Sequence, residues 1–159
     1  MERSSLTKSN NSALLAEDNA VITQTGEGYY TEIMANGHPI IADEPITYGG
    51  TDKGPTPYDL LSASLGACVG MTLRMYANRK KWPLEAVKVR TKHRKIHAKD
   101  CADCDTRGGY IDVFEQELDF SGPLDNGQKQ RLMEIAGKCP VHRTLHSEVV
   151  IKSRMMENI

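Results

Sequence analysis

The sequence predicts an α+β fold in a single domain, and three observations carry that prediction. Short β-prone runs fill the first third, two stretches of 20 or so and 15 or so residues show helical spacing, and strand-like alternation separates the two. At 159 residues the chain has the length of one ordinary domain with its own core. Apolar residues at 39% and charged residues at 26% describe a globular chain rather than a disordered one.

Residues 1–18 are rich in Ser, Asn and Lys without a sustained period, and read as a flexible tail before a domain over 19–159. Val21–Thr23, Tyr29–Ala35 and Pro39–Ala42 are the β-prone runs. Gly26-Glu27-Gly28 separates the first pair. Asn36-Gly37 separates the second, and Asn-Gly suits a type I′ turn because both of its central residues need positive φ. An antiparallel meander follows. Residues 43–56 are a Gly/Pro-dense loop, and Thr56, Pro57 and Asp59 then carry the signature of a helix start.

That helix runs to about Lys80. Leu60, Leu61, Leu65, Cys68, Val69, Met71, Leu73, Met75 and Tyr76 leave it almost no polar face, with Met71 and Met75 read as core filler. A small domain cannot enclose such a helix, so a sheet on one side and a second subunit on the other are expected. Residues 84–98 and 109–120 alternate as strands around the loop Lys-Asp-Cys-Ala-Asp-Cys-Asp-Thr-Arg-Gly-Gly. Asp125 and Gln128 mark a second helix, with Leu132, Ile135, Ala136 and Cys139 on its apolar side, and Pro140 is expected to end or kink it. A last strand is expected over Glu148–Met155, giving the order β-β-β-α-β-β-α-β.

Charge and hydropathy narrow the function classes. Twenty Lys+Arg against 21 Asp+Glu leave a formal net charge of −1, which argues against a nucleic-acid binder. No uninterrupted apolar run suits a bilayer span or a signal peptide, so a cytoplasmic chain with no membrane partner is expected. Four cysteines, at 68, 101, 104 and 139, are too few for a disulfide scaffold and read as buried hydrophobes, metal ligands or redox groups. Cys68 and Cys139 both lie on the apolar sides of helices. Cys68 sits among small residues in Gly66-Ala67-Cys68-Val69-Gly70, and Cys139 precedes Pro140 with His142 and Arg143 close behind to supply positive charge. Cys101-Ala-Asp-Cys104, with His97 four residues before Cys101, supplies three candidate metal ligands, or else a redox or a purely structural pair. His93, His142 and His146 are isolated histidines, of which His142 lies nearest a cysteine.

The run Pro57-Tyr-Asp-Leu-Leu-Ser-Ala-Ser-Leu-Gly-Ala-Cys68, followed about seventy residues later by Cys139-Pro140-Val141, resembles the OsmC/Ohr family, the osmotically induced and organic hydroperoxide resistance proteins. The resemblance covers roughly residues 20–155 and is to a divergent, OsmC-like branch marked by Asp-Cys-Ala-Asp-Cys and Cys-Pro-Val-His-Arg-Thr-Leu. It implies antiparallel sheets wrapped around two central helices in an intertwined homodimer. It further implies a peroxidase in which Cys68 attacks an organic hydroperoxide, Cys139 resolves the sulfenic acid to a disulfide, and an external dithiol reduces that disulfide. No other cofactor is required. The family's strand arginine has no counterpart, since no Arg stands between Arg3 and Arg74, and Tyr58 occupies the position of the glutamate that holds it. Arg143 and then Arg74 are the substitute cations, with Asp59 and His142 as further groups able to support the thiolate. Two other readings stand beside the enzyme: a binding protein holding an apolar small molecule or sensing oxidant at the dimer groove, and a dimer stabilised by metal at Cys101, Cys104 and His97.

Overall fold

The computed structural model describes residues 20–102 and 104–156 of the chain, so the tail expected over 1–18 lies outside the described residues. The chain groups into two compact units, Met1–Leu60 and Leu61–Ile159. The first owes its integrity to a backbone ladder and a loop, and the second contains a hydrophobic core of its own.

In the first unit, β1 (Val21–Thr25), β2 (Thr31–Ala35) and β3 (His38–Ala42) form the antiparallel meander in the order β1-β2-β3. Val21 pairs with Ala35 and Ala35 with His38, so β2 is central. Asn36 and Gly37 take φ of 48° and 82°, the pair of positive values that the Asn-Gly turn requires. The loop after β3 is organised by Asp43, which is 1% exposed. Its carboxylate accepts the Thr51 hydroxyl at 2.5 Å and the backbone N–H groups of Glu44, Thr51 and Lys53 at 2.8, 3.1 and 3.2 Å. The Thr51 hydroxyl foremost, with those N–H groups, overcomes the opposing effect of burial and lowers the Asp43 pKa to about 2.

Helix α1 (Pro57–Lys80) starts where the first unit ends, on a reciprocal cap. The Thr56 hydroxyl accepts the Asp59 N–H at 3.2 Å, and the Asp59 carboxylate accepts the Thr56 N–H at 3.0 Å. By length and composition α1 is apolar enough to cross a membrane, a property it shares with core helices of soluble proteins. Its apolar surface falls into two parts. Leu65, Val69, Leu73 and Ala77, four residues apart, form the buried stripe. Met71 and Met75, expected in the core, are 67% and 72% exposed, because one stripe satisfies this chain's core and they fall on the opposite flank.

The second unit continues with β4 (Ala86–His97) and β5 (Tyr110–Ser121), an antiparallel ribbon registered from Ala86↔Ser121 to His97↔Tyr110. One ribbon face supplies Val87, Val89, Phe114, Leu118 and Phe120 to the core, alternating with charged outer residues such as Arg90 and Glu117. Helix α2 (Asn126–Ala136), with its Asp125/Gln128 capping box, adds Leu132, Ile135 and Ala136. The turn from α1 into β4 is held by Arg74, whose guanidinium donates to the carbonyls of Leu84 and Glu85. Gly122 closes the far end of β5: its φ is 116°, and a Cβ there would lie 2.1 Å from the Pro83 carbonyl oxygen.

Two sequence expectations change near the C-terminus. Pro140 begins a further helix, α3 (Pro140–Leu145), instead of merely ending α2, which stops at Ala136. Proline is suited to a first helical position because its missing N–H would be unpaired there anyway. The strand expected over Glu148–Met155 is absent: residues 148–156 have no regular structure, and Val149, Val150 and Ile151 are 56%, 70% and 84% exposed. Alternation makes a segment strand-capable, but a strand forms only where an edge pairs with it.

Candidate functional site

The second unit brings Cys68 and Cys139 together. Cys68 lies on α1 beside the buried stripe, packed against the core cluster yet partly exposed. Cys139, a member of that cluster, is completely buried. Both are free thiols, and Cys68 lies near enough to Cys139 to raise its pKa. The 70 intervening residues are returned to α1 by the ribbon and α2, which pack on the same core.

Cys139 is not on the side of a long helix, as expected, but is the N-cap of α3. Its Sγ accepts the His142 backbone N–H at 3.3 Å, an arrangement created by Pro140 at the first helical position. Burial pushes the Cys139 thiol pKa up and the adjacent Cys68 adds to that rise, while the His142 and Val141 N–H groups pull against it. Cys139 is therefore held as a thiol, sealed from solvent. Cys68 is the member of the pair that an incoming molecule can reach.

Helical phase identifies the residues beside Cys68. Gly66 and Gly70, two positions away on either side, project to the far side of α1, and a side chain at Gly66 would meet Thr91 and Val89 of the ribbon. Residues three, four and seven positions away share its face: Leu61, Ser64 and Leu65 before it, and Met71, Thr72 and Met75 after it. Of these, Met71 and Met75 are exposed apolar side chains.

The supporting groups proposed from sequence fall in different places. Arg74 is engaged by two backbone carbonyls and serves the α1–β4 turn. Six residues beyond Cys68, it lies on another side of the helix. The Asp59 carboxylate is engaged by Thr56 in the helix cap. Arg143 is exposed on α3, one turn after Cys139. The His142 ring stacks on His146 with centroids 4.6 Å apart, and burial foremost, with His146 second, lowers its pKa. It is the His142 backbone, rather than its ring, that touches Cys139. His93 bonds Asp112 at 2.8 Å and lies 4.7 Å from the Phe114 ring, within the ribbon.

At the ribbon tip Cys101 and Cys104 are joined as a disulfide with Cα atoms 5.6 Å apart. In that oxidised form neither sulfur is a thiolate able to ligate a metal. His97 Nδ1 instead accepts the Lys99 N–H at 3.2 Å. Among the described residues no group of three or more His, Cys, Asp or Glu is arranged to hold a metal ion.

Two cysteines on α1 and at the start of α3, over one ribbon-and-helix core, agree with a family model described as OsmC-like protein, which matches residues 50–154. The chain belongs to the OsmC-like protein family. Solved structures share the fold of this OsmC-like chain at low identity. An organic hydroperoxide resistance protein OsmC from Legionella pneumophila matches with a TM-score of 0.60 and 19% identity, over 79% of this chain and 87% of that one. An OsmC like protein from Mycoplasma pneumoniae matches with 0.60 and 18%, over 82% and 89%. The organic hydroperoxide resistance protein OhrB of Bacillus subtilis matches with 0.55 and 19%, over 79% and 87%. No curated protein matches the OsmC-like chain.

Proposed function

We propose that this OsmC-like protein is a thiol-dependent peroxidase that reduces organic hydroperoxides in oxidative stress defence through a Cys68/Cys139 thiol–disulfide cycle. The observation that carries the reading is the placing of a partly exposed Cys68 thiol and a sealed Cys139 thiol on one core, near enough for Cys68 to raise the Cys139 pKa. The names of the Legionella and Bacillus structures are in keeping with it. The Cys68 thiolate attacks the O–O bond, taking one oxygen as sulfenic acid and releasing the alkoxide, which is protonated to the alcohol. The Cys139 thiol then displaces hydroxide from the Cys68 sulfur, giving the disulfide and water. An external dithiol reduces the bridge by two electrons and two protons and leaves as its own disulfide. Attack as a thiolate calls for a cation. With Arg74 engaged elsewhere, Arg143 is the residue we assign to that role.

The same reading includes a homodimer and a cytoplasmic setting. OsmC/Ohr proteins are typically dimeric, and the exposed Met71, Met75 and Val149–Ile151 are apolar surface that a second copy would cover. Sedimentation equilibrium is expected to give a dimer at micromolar concentration, and a folded monomer would remove this part of the proposal. A second reading, an inert relative that binds an apolar small molecule beside Met71 and Met75, draws support from the engagement of Arg74. Dimedone trapping separates the two. In Cys139→Ser, one equivalent of an organic hydroperoxide is expected to leave a labelled sulfenic acid at Cys68. No label on any cysteine would favour the binding protein.

A further inference from the structure

We propose that Cys101 and Cys104 form a second redox site, a dithiol/disulfide couple that exchanges with external thiols independently of Cys68 and Cys139. The bridge joins cysteines three positions apart at the tip of the β4–β5 ribbon. It is not a staple for the fold. A bridge stabilises chiefly by closing a loop in the unfolded chain, and a ring of four residues lies at the weak end of that effect. Nor does it hold the two strands together, because both cysteines lie within the connection, outside β4 and β5. The strands are already registered along twelve residue pairs, and the loop is closed at its base by the Ala98 N–H donating to the Gly109 carbonyl at 2.8 Å.

The surroundings suit exchange. Cys101 and Cys104 are partly exposed, and Ala102, Asp105, Thr106, Arg107 and Gly108 around them are exposed, so a thiolate can reach the bridge. The site is also separate from the core pair. A side chain at Gly66 would lie 3.5 Å from Thr91 Oγ1, which sets the level of Cys68 along the ribbon. Cys101 lies beyond His97, and the six residues from Thr91 to His97 alone span about 20 Å of strand. Direct exchange between the two pairs of one chain is out of reach.

The chemistry is a two-electron exchange. The thiolate of an external dithiol attacks one sulfur of the bridge, the S–S bond breaks, and the departing sulfur takes a proton. The second thiol of the reductant then displaces the mixed disulfide. Cys101 and Cys104 are left as thiols and the reductant as a disulfide; an external disulfide reverses the sequence. Charge selects the partner. Asp100, Asp103 and Asp105 flank the two cysteines directly in sequence, whereas Lys99 and Arg107 stand one or two positions further out. Neutral and cationic thiols are favoured over anionic ones, by about threefold at low ionic strength and less as salt screens the carboxylates.

The experiment uses the full-length chain in a series of reduced/oxidised dithiothreitol ratios, with differential alkylation and peptide mapping that report each cysteine separately. Cys101 and Cys104 are expected to titrate together as a two-electron couple, at a midpoint within twofold of the same value in Cys68→Ala. Cysteamine is expected to reduce them faster than 3-mercaptopropionate, with the gap closing in high salt. A bridge that stays oxidised in millimolar dithiothreitol under native conditions would overturn the proposal. So would a midpoint moved more than tenfold by Cys68→Ala, or a reduced pair that retains zinc and fails to reoxidise with oxidised dithiothreitol. The Cys101→Ser/Cys104→Ser variant is expected to consume hydroperoxide within twofold of the parent, and a loss beyond tenfold would contradict independence. Hydroperoxide turnover and bridge titration are read on different cysteines, so each proposal fails or stands by its own measurement.

Discussion

Replacing Arg74 with methionine keeps the aliphatic stem in place and removes the guanidinium, which separates two roles for this residue. The structure gives it to the α1–β4 turn, where it donates to the carbonyls of Leu84 and Glu85. Leu84 is 5% exposed, so the first bond is part-buried and its loss strands a carbonyl that water reaches poorly. A charged hydrogen bond of that kind contributes about 1.5–3 kcal/mol, and the exposed bond to Glu85 adds about 0.5 kcal/mol or less. The expected loss is about 2–3 kcal/mol, which for a chain of this size lowers Tm by about 4–12 °C. Because oligomers melt at concentration-dependent temperatures, both proteins are compared at one concentration by urea denaturation and calorimetry. The pH dependence of Cys68 alkylation by iodoacetamide is measured on the same pair and is expected to be unchanged. Unaltered stability together with slower alkylation of Cys68 at neutral pH would refute the reasoning and return Arg74 to the thiolate.

Other outcomes follow from the same geometry. Gly122→Ala places a Cβ against the Pro83 carbonyl at a φ of 116°, and is expected to cost more than about 2 kcal/mol by chemical denaturation. Ala at Gly70, whose Cβ would meet no atom within 4 Å, is expected to be neutral or slightly stabilising. Asp43 has a folded pKa of about 2 against 3.8, so its stabilisation is fully present above pH 4 and is lost as pH falls through 2. The stability difference between the parent and Asp43→Asn is therefore expected to be constant from pH 7 to 5 and to shrink below pH 3.5, and a gap independent of pH would contradict the assignment. Arg143→Ala is expected to slow hydroperoxide consumption about tenfold or more with little change in Tm, since the side chain is exposed.

Local chemistry made most of the fold legible. Asn36-Gly37, the Thr56/Asp59 cap and the Asp125/Gln128 box each fix a backbone conformation through groups within a few residues, and each is found where the sequence put it. What escaped depended on contacts remote in sequence or on a choice between two local rules. Pro140 disfavours helix before it and favours helix after it, and the second effect made Cys139 a cap. A β-prone run such as Val149–Ile151 says nothing about whether an edge will pair with it. Arg74 looked like a free cation because the carbonyls that hold it belong to a turn, which carries no side-chain signal. Asp43 gathers backbone N–H groups as an Asp opening a loop of Gly, Thr and Pro is placed to do. Of the site, the pairing of Cys68 with Cys139 was visible only through the family resemblance, and the exposure of Met71 and Met75, read as core filler, depended on which stripe of α1 the core covers.

The central claim is that Cys68 and Cys139 form the working redox pair, and peptide mapping of the oxidised parent protein tests it most directly. The reduced full-length chain is treated with one equivalent of an organic hydroperoxide, alkylated, digested without reductant and examined by mass spectrometry. The account expects a new cross-linked peptide joining Cys68 to Cys139, formed with loss of one equivalent of peroxide. Cys68 and Cys139 both recovered as free thiols, while peroxide is consumed at Cys101 and Cys104 or not at all, would contradict it.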